Sequence, residues 1–358
     1  MKHALAGLIG QRERQVITAV VDQVKATNEN KAKELMPIVD VPASILIHQT
    51  VSSYGGKTGE RTLDGQGKAI NGRSRKTKFF EPGSYQEFIR FNERDLLKYA
   101  KLGTLSERGV TGLNNGQLSE MEMAAQKLKG RIENRMSQLI WDSFFTGKYA
   151  YQAVDFDFGV PVANSLTSAT DWTNHATSKP FDDLFALVTY NPYLIKYKIK
   201  EIVINPKTMS DIMLSQQTRD FLKNYNLRSA DINEVAQLAV PGLPPIKICK
   251  DAYQDESYDA EGNVTLGNAA FFVPDNKVLL IPDFGAQIFQ SFGQFQIAEN
   301  MNAPEASIEK PAQGIYIFVD EEGLRQKKNV YVDIVAGFNG APNLMRNEDV
   351  FVVDSTGP

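Results

Sequence analysis

The chain has 358 residues, 42% hydrophobic and 23% charged, ample for a sizeable core in one elaborated domain or two to three smaller ones. Its formal net charge of −4 argues against coating nucleic acid through bulk charge, and no apolar run approaches the length of a membrane span. A single cysteine, Cys249, excludes an internal disulfide and any multi-cysteine metal site.

Met1 to Ile9 carries a short apolar piece, but Arg12-Glu13-Arg14 follows at once without a small-residue cleavage pattern. No signal peptide is read there, and the expected setting is a reducing cytoplasm. Residues 11–36 pattern as an amphipathic helix with a narrow apolar face, stopped by Pro37. The run 45–54 is strand-like.

Residues 55–78 change texture. Six glycines and few large apolar groups accompany seven Lys or Arg against two acids, so the stretch cannot bury itself against a core. The flanking runs 45–54 and 78–81 pair as the legs of a long hairpin with the glycines at its tip. The tip is either a loose surface loop or a segment that orders against a partner.

A short helical pattern at 93–105 precedes the longest helix of the chain, read over Ser119–Gly147. Met121, Ala125, Leu128, Ile132, Met136 and Leu139 recur every three or four positions and line one face. Ser119 with Glu122 reads as a capping box and Gly147 as a left-handed stop, giving a helix roughly 40 Å long. Trp141 falls on the side opposite the stripe, where solvent is expected.

After Gly147 the period becomes two, with Phe156 and Phe158 alternating against Asp155 and Asp157. Helices are expected from Phe181, over 207–222 and over 231–239, with a buried strand at 201–206. Further strands are expected at 246–249, 269–273, 277–282, 288–289, 314–320, 329–336 and 350–353. The segment DAEGN (259–263) reads as a hairpin turn.

Several tempting chemical motifs fail on spacing. Gly56-Lys57-Thr58 lacks the glycine five residues earlier, where Val51 stands, so it is no phosphate-binding loop. Gly65-x-Gly67 has no third glycine three residues on. Asp255, Asp259 and Glu261 miss calcium-loop spacing. His3, His48 and His175 show no paired spacing for zinc, and His48 in a strand pattern reads as structural. Cys249 in an apolar strand reads as an inert core thiol, and Asp155 with Asp157 as a solvated strand face. No catalytic, cofactor or metal residues are assigned.

With the long helix in place, the order of motifs resembles the major capsid proteins of tailed bacteriophages, in the lambda-type capsid protein E family. The basic hairpin precedes FEPGSYQEFIRF, and the long helix exits through FFTGKYAYQAVDFDFG. ATDWTNHATSKPFDDL, EIVINPKTMSDIMLSQQTRDFL, FFVPDNKVLLIPDFGAQIFQSFGQF and GFNGAPNLMRNEDVFVVD follow in the family's order. The likeness covers about residues 45–354.

The resemblance implies an α+β, Hong-Kong-97-type capsid fold with a long spine helix. It implies an N-terminal arm (1–44), an extended loop (45–91) and a peripheral domain (92–180 and 290–337). An axial domain (181–289 and 338–358) would face the centre of each hexamer or pentamer. It also implies self-assembly in the host bacterial cytoplasm into an icosahedral head around double-stranded DNA. The expected partners are a separate scaffolding protein, a portal and a decoration protein, without membrane or sequence-specific DNA binding. The same fold serves encapsulin-type nanocompartments; a nucleic-acid-binding module or a cytoplasmic enzyme are the readings of another class. Lys57, Arg61, Lys68, Arg73, Arg75, Lys76 and Lys78 of the loop, with Trp141, are the expected inter-subunit contacts. Acids such as Glu120, Asp142 or the Asp320-Glu321-Glu322 run are their expected counterparts.

Overall fold

The computed structural model describes residues 31–41, 46–51, 75–92, 115–152, 154–190, 199–225, 231–258, 264–282, 287–292, 313–319 and 331–357. A short helix α1 (Lys31–Leu35) leads into strand β1 (Ile38–Val41). Strands β2 (Leu46–Val51) and β3 (Arg75–Phe80) are followed by β4 (Gly83–Asn92). The long helix α2 (Asn115–Thr146) enters β5 (Lys148–Tyr151) and β6 (Val154–Asp157), then β7 (Ser165–Thr167) and α3 (Pro180–Tyr190). Next come β8 (Ile199–Ile204), α4 (Pro206–Leu214), α5 (Gln216–Asn224) and α6 (Ile232–Ala239). The remaining strands are β9 (Ile246–Ile248), β10 (Ala252–Tyr258), β11 (Val264–Phe271) and β12 (Lys277–Pro282). After them come β13 (Ile288–Phe292), β14 (Gln313–Val319), β15 (Tyr331–Asn343) and β16 (Phe351–Asp354).

One sheet runs β7-β16-β12-β8-β9 and is apolar on both faces. Val278 and Leu280 of β12 point into one core and Leu279 into another; Ile202 and Ile204 of β8 likewise oppose Val203. Consecutive apolar residues in a strand require this, because successive side chains leave opposite faces. Helices α3 to α6 supply Phe181, Leu184, Ile212, Ile232 and Val235 to the helical side. The other side meets the C-terminal half of α2, through Met136, Leu139, Ile140, Trp141 and Phe144.

The second large sheet is organised by β15, which pairs antiparallel with β4, β14 and β13; β1 adds parallel to β13. Gly340 permits the crowding on β13, since a Cβ there would lie 2.7 Å from the Phe289 ring and 2.8 Å from the Gln290 carbonyl oxygen. Arg90 of β4 and Asp333 of β15, directly opposite in register, form a two-pronged ion pair at 2.8 Å on each arm. Asp333 is fully buried there.

Helix α2 begins four residues before the expected start, so Ser119 lies a turn inside it and caps no end. Its stop is as expected: Gly147 has φ +67° and its N–H donates to the Ser143 carbonyl at 3.0 Å. Trp141 corrects the expectation of an outward-facing residue. It is fully buried, in the same core as Ala32 and Met36 of α1, a helix that packs against α2. Lys33 reaches Glu133 at 3.2 Å across that contact.

The single helix expected over 207–222 is two. Ser215 takes an extended conformation, accepting from the Thr218 N–H to cap α5 while its hydroxyl donates to the Ile212 carbonyl. Strand β15 runs on to Asn343, seven residues past the expected 336, through a Gly/Asn/Pro-rich stretch with a loop-like composition. The short strands β1 and β7, and β4 as a strand, were not legible. The helical patterns at 11–30 and 93–105 and the turn at 259–263 lie outside the described residues, although β10 and β11 pair antiparallel on either side of that turn.

Candidate assembly surfaces

Strands β2 and β3 pair antiparallel from Leu46↔Phe80 to Val51↔Arg75, as the flanking apolar runs predict. Leu46 and Phe80 turn inward to the core. Ile47 and Phe79, opposite one another in register, turn outward and are 48% and 67% exposed. The root of this hairpin is fastened by polar groups. His48 is fully buried and its Nδ1 lies 2.8 Å from the Asn343 side-chain oxygen. The Asn343 amide donates to the Ile47 carbonyl at 3.1 Å and to Gln290 Oε1 at 2.9 Å. Phe156 and Phe158 meet the imidazole edge-on. Burial pushes the His48 pKa down against the opposing pull of the Asn343 hydrogen bond.

Of the expected contact residues, Lys57, Arg61, Lys68 and Arg73 lie outside the described residues. Arg75 and Lys76 stand on β3 opposite Val51 and Thr50. Lys78 is exposed but engaged within its own chain, donating to the Asp157 carbonyl at 2.8 Å with its ammonium 5.6 Å from the Phe156 ring centroid. Trp141 is fully buried within its own subunit and offers no surface to a neighbour, contrary to the expected contact. Asp142 is exposed and Glu120 half-buried; 320–322 lie outside the described residues.

The sequence motifs meet one another in space. Asp183, buried in the PFDD helix start, accepts from the Thr170 N–H, the Thr170 hydroxyl at 2.6 Å and Trp172 Nε1 at 3.0 Å. Asn205 caps α4 by accepting from Thr208 N–H at 2.7 Å while donating to Asp275 of the Pro-Asp-Asn turn, also at 2.7 Å. Asn347 near the C-terminus donates to the Phe158 and Gly159 carbonyls, closing the chain onto the exit of α2. Sequence reading saw the segments but not these joints. Their one signal is an asparagine or aspartate at the edge of each apolar run.

A cavity of about 470 Å³ lies between β4, α2 and β10, floored by Tyr85, Tyr253 and Phe272. Arg131 spans it, reaching Glu87 at 2.8 Å and Glu256 at 3.1 Å, while Arg135 on the same lining donates to Gln138 at 2.8 Å. Asp155 and Asp157 are exposed on β6, as a solvated strand face requires, and Cys249 is buried. Among the described residues no three His, Cys, Asp or Glu are grouped to hold a metal ion. His175 Nε2 contacts Asp211 at 3.0 Å.

The sequence profile described as phage major capsid protein E matches residues 61–333. No curated protein matches the sequence. Solved structures similar to this chain include a phage-related protein from Bordetella bronchiseptica RB50, 10% identical over 96% of this chain and 97% of that one, with a TM-score of 0.48. The mature capsid of bacteriophage PhiM1 is 9% identical over 92% and 88% of the two chains, TM-score 0.47. An encapsulin from Synechococcus elongatus PCC 7942 is 9% identical over 94% and 91%, TM-score 0.43.

Proposed function

This chain belongs to the phage major capsid protein E family, and from that membership we infer the finer features of its role as the major capsid protein of a tailed bacteriophage. Hexamers and pentamers of the chain close into an icosahedral head of the Hong-Kong-97 type around double-stranded DNA, with assembly in the host cytoplasm. The observation that carries this reading is the family match over most of the chain. A separate scaffolding protein, a portal and a decoration protein are the partners it implies. The slightly negative total charge suits a wall that must release its genome.

Within the subunit, 1–44 is the arm and 45–91 the extended loop that lies across a neighbour. The α2 region is the peripheral domain, and the α3–α6 region with its sheet is the axial domain. Leu166 of β7 and Trp172 lie in the core under α3–α6, and β15 stays in its sheet to Asn343, which supports drawing 165–180 with the axial domain and 338–343 with the peripheral one. The loop's basic residues Lys57, Arg61, Lys68, Arg73, Arg75, Lys76 and Lys78 set register against acids of the next subunit. The fastened root at His48 and Asn343 supports this, since a reaching arm needs a fixed base.

Purified protein, alone and with its scaffold, should give closed particles by size exclusion and negative-stain microscopy. Persistent monomers under every assembly condition would falsify the reading. Deleting 55–75 should leave a folded subunit that makes no shells.

A further inference from the structure

The cavity between β4, α2 and β10 has an aromatic floor made of two stacked pairs of rings. Tyr85 lies on Phe338 at 4.9 Å between centroids, and Tyr253 on Phe272 at 4.8 Å. Phe272 and Phe338 are buried in the core around α2, so the two tyrosine rings above them are backed by packed atoms and held in place.

The walls carry one unmatched charge of each sign. On the α2 wall the Arg135 guanidinium lies over the Tyr85 ring, 5.1 Å from its centroid, and donates from Nη1 to Gln138 Oε1 at 2.8 Å. A ring and an amide orient this cation without cancelling its charge. Among the described residues Arg135 makes no ion pair, whereas Arg131, four residues earlier, is taken up by Glu87 and Glu256. On the β10 wall Asp255 is exposed and likewise makes no ion pair among the described residues.

The amides beside these charges are each half used. Gln138 accepts from Arg135 through its oxygen, which leaves its NH2 as a donor. Gln254 donates its Nε2 to the Gly267 carbonyl at 2.8 Å, which leaves its oxygen as an acceptor. A donor on one wall and an acceptor on the other complement the C=O and N–H of a peptide chain. The volume of about 470 Å³ falls within the roughly 300–1,000 Å³ of ligand-binding pockets.

We propose that this cavity docks an extended segment of a second protein. An apolar side chain of the segment rests on Tyr85 and Tyr253, an acidic residue meets Arg135 and a basic residue meets Asp255. A polyanion such as nucleic acid is opposed by the Asp255 carboxylate, and a wholly apolar partner leaves both charges covered without counterparts. The site goes beyond the shell reading, since no contact between copies of this chain enters it.

The test selects displayed random twelve-residue peptides for binding to the full-length protein. The strongest is then made as a fluorescein-labelled probe and titrated by anisotropy. Selected sequences should share an apolar residue flanked by an acid and a base. Arg135→Glu should weaken the probe about tenfold or more, the effect of losing a charge-assisted hydrogen bond. A probe whose acid is replaced by lysine should regain affinity for that variant. Asp255→Lys should act in the same way on the basic position, and Gln254→Ala should weaken binding about threefold. All three side chains are exposed, so the melting temperature should hold. Should Arg135→Glu lose its melting transition, Asp255→Lys carries the comparison.

A selection that yields no binder or no shared pattern overturns the proposal. So does a probe that binds both charge variants as tightly as the wild type, or one whose swapped form regains nothing. Selected sequences that match a stretch of this chain would assign the cavity to a second copy instead. Displacement of the probe by N-acetylglutamate as effectively as by the unlabelled peptide would make it a small-carboxylate site, and either result overturns a second protein as the occupant.

Discussion

Trp141 and Trp172 are the two tryptophans of the chain, both fully buried, one in each core. Trp172 donates its indole N–H to Asp183, which also collects two donors from Thr170. Trp141 has no hydrogen-bond partner for its indole nitrogen among the described residues, and packs against Phe144 and Phe145. The axial core is thus specified by polar joints that fix where each segment enters. The core around α2 is held by shape, with aromatic rings from segments far apart in the chain. A shared sheet lets the two kinds of core sit back to back.

The largest effects should come from truncating either ring. Trp141→Ala and Trp172→Ala should each cost about 3–5 kcal/mol in urea unfolding. The comparison sharpens with phenylalanine. Trp172→Phe should cost about 1–3 kcal/mol more than Trp141→Phe, because it removes a donor from a buried carboxylate. Equal losses would mean that the Asp183 joint contributes nothing net.

Next in size is the root of the extended hairpin, which borrows the polar strategy inside the aromatic core. Asn343→Leu leaves the Ile47 carbonyl and the His48 ring without their partner, and should cost about 1–3 kcal/mol. Limited proteolysis within 46–80 should quicken in parallel.

His48 makes the same root sensitive to acid. Its folded pKa is lowered from the usual 6.5 by burial, with the facing charge of Lys78 adding in the same direction. The neutral ring is therefore the form the fold prefers. Its stabilisation is full above 6.5 and is lost as the pH falls through that value toward the lower folded pKa. Proteolysis of the hairpin should rise between about pH 7 and pH 5 in the wild type and stay flat with His48→Gln. A wild-type profile without that rise would place the acid sensitivity elsewhere.

The smallest effect should be that of Lys78→Ala on subunit stability, under about 1 kcal/mol, since the side chain is exposed. A larger loss would make Lys78 part of the root rather than a residue free to serve a neighbour.

By itself the sequence determined the elements whose patterns are local. The stripe on α2, its glycine stop, the two legs β2 and β3, and the alternating exit at Phe156 and Phe158 all follow from spacing, because one buried face imposes one period. The ordered motifs carried the family. Tertiary structure alone decided what covers a second face. Trp141 lies opposite the stripe and is buried in a core that it shares with Ala32 and Met36 of α1, from about a hundred residues upstream. Strand β15 continues through a loop-like stretch because β13 and β4 supply its missing pairings. The joints at Asp183, Asn205 and Asn343 likewise depend on partners that only folding brings within hydrogen-bond reach, since a short polar side chain carries no periodic signal of the group it will meet.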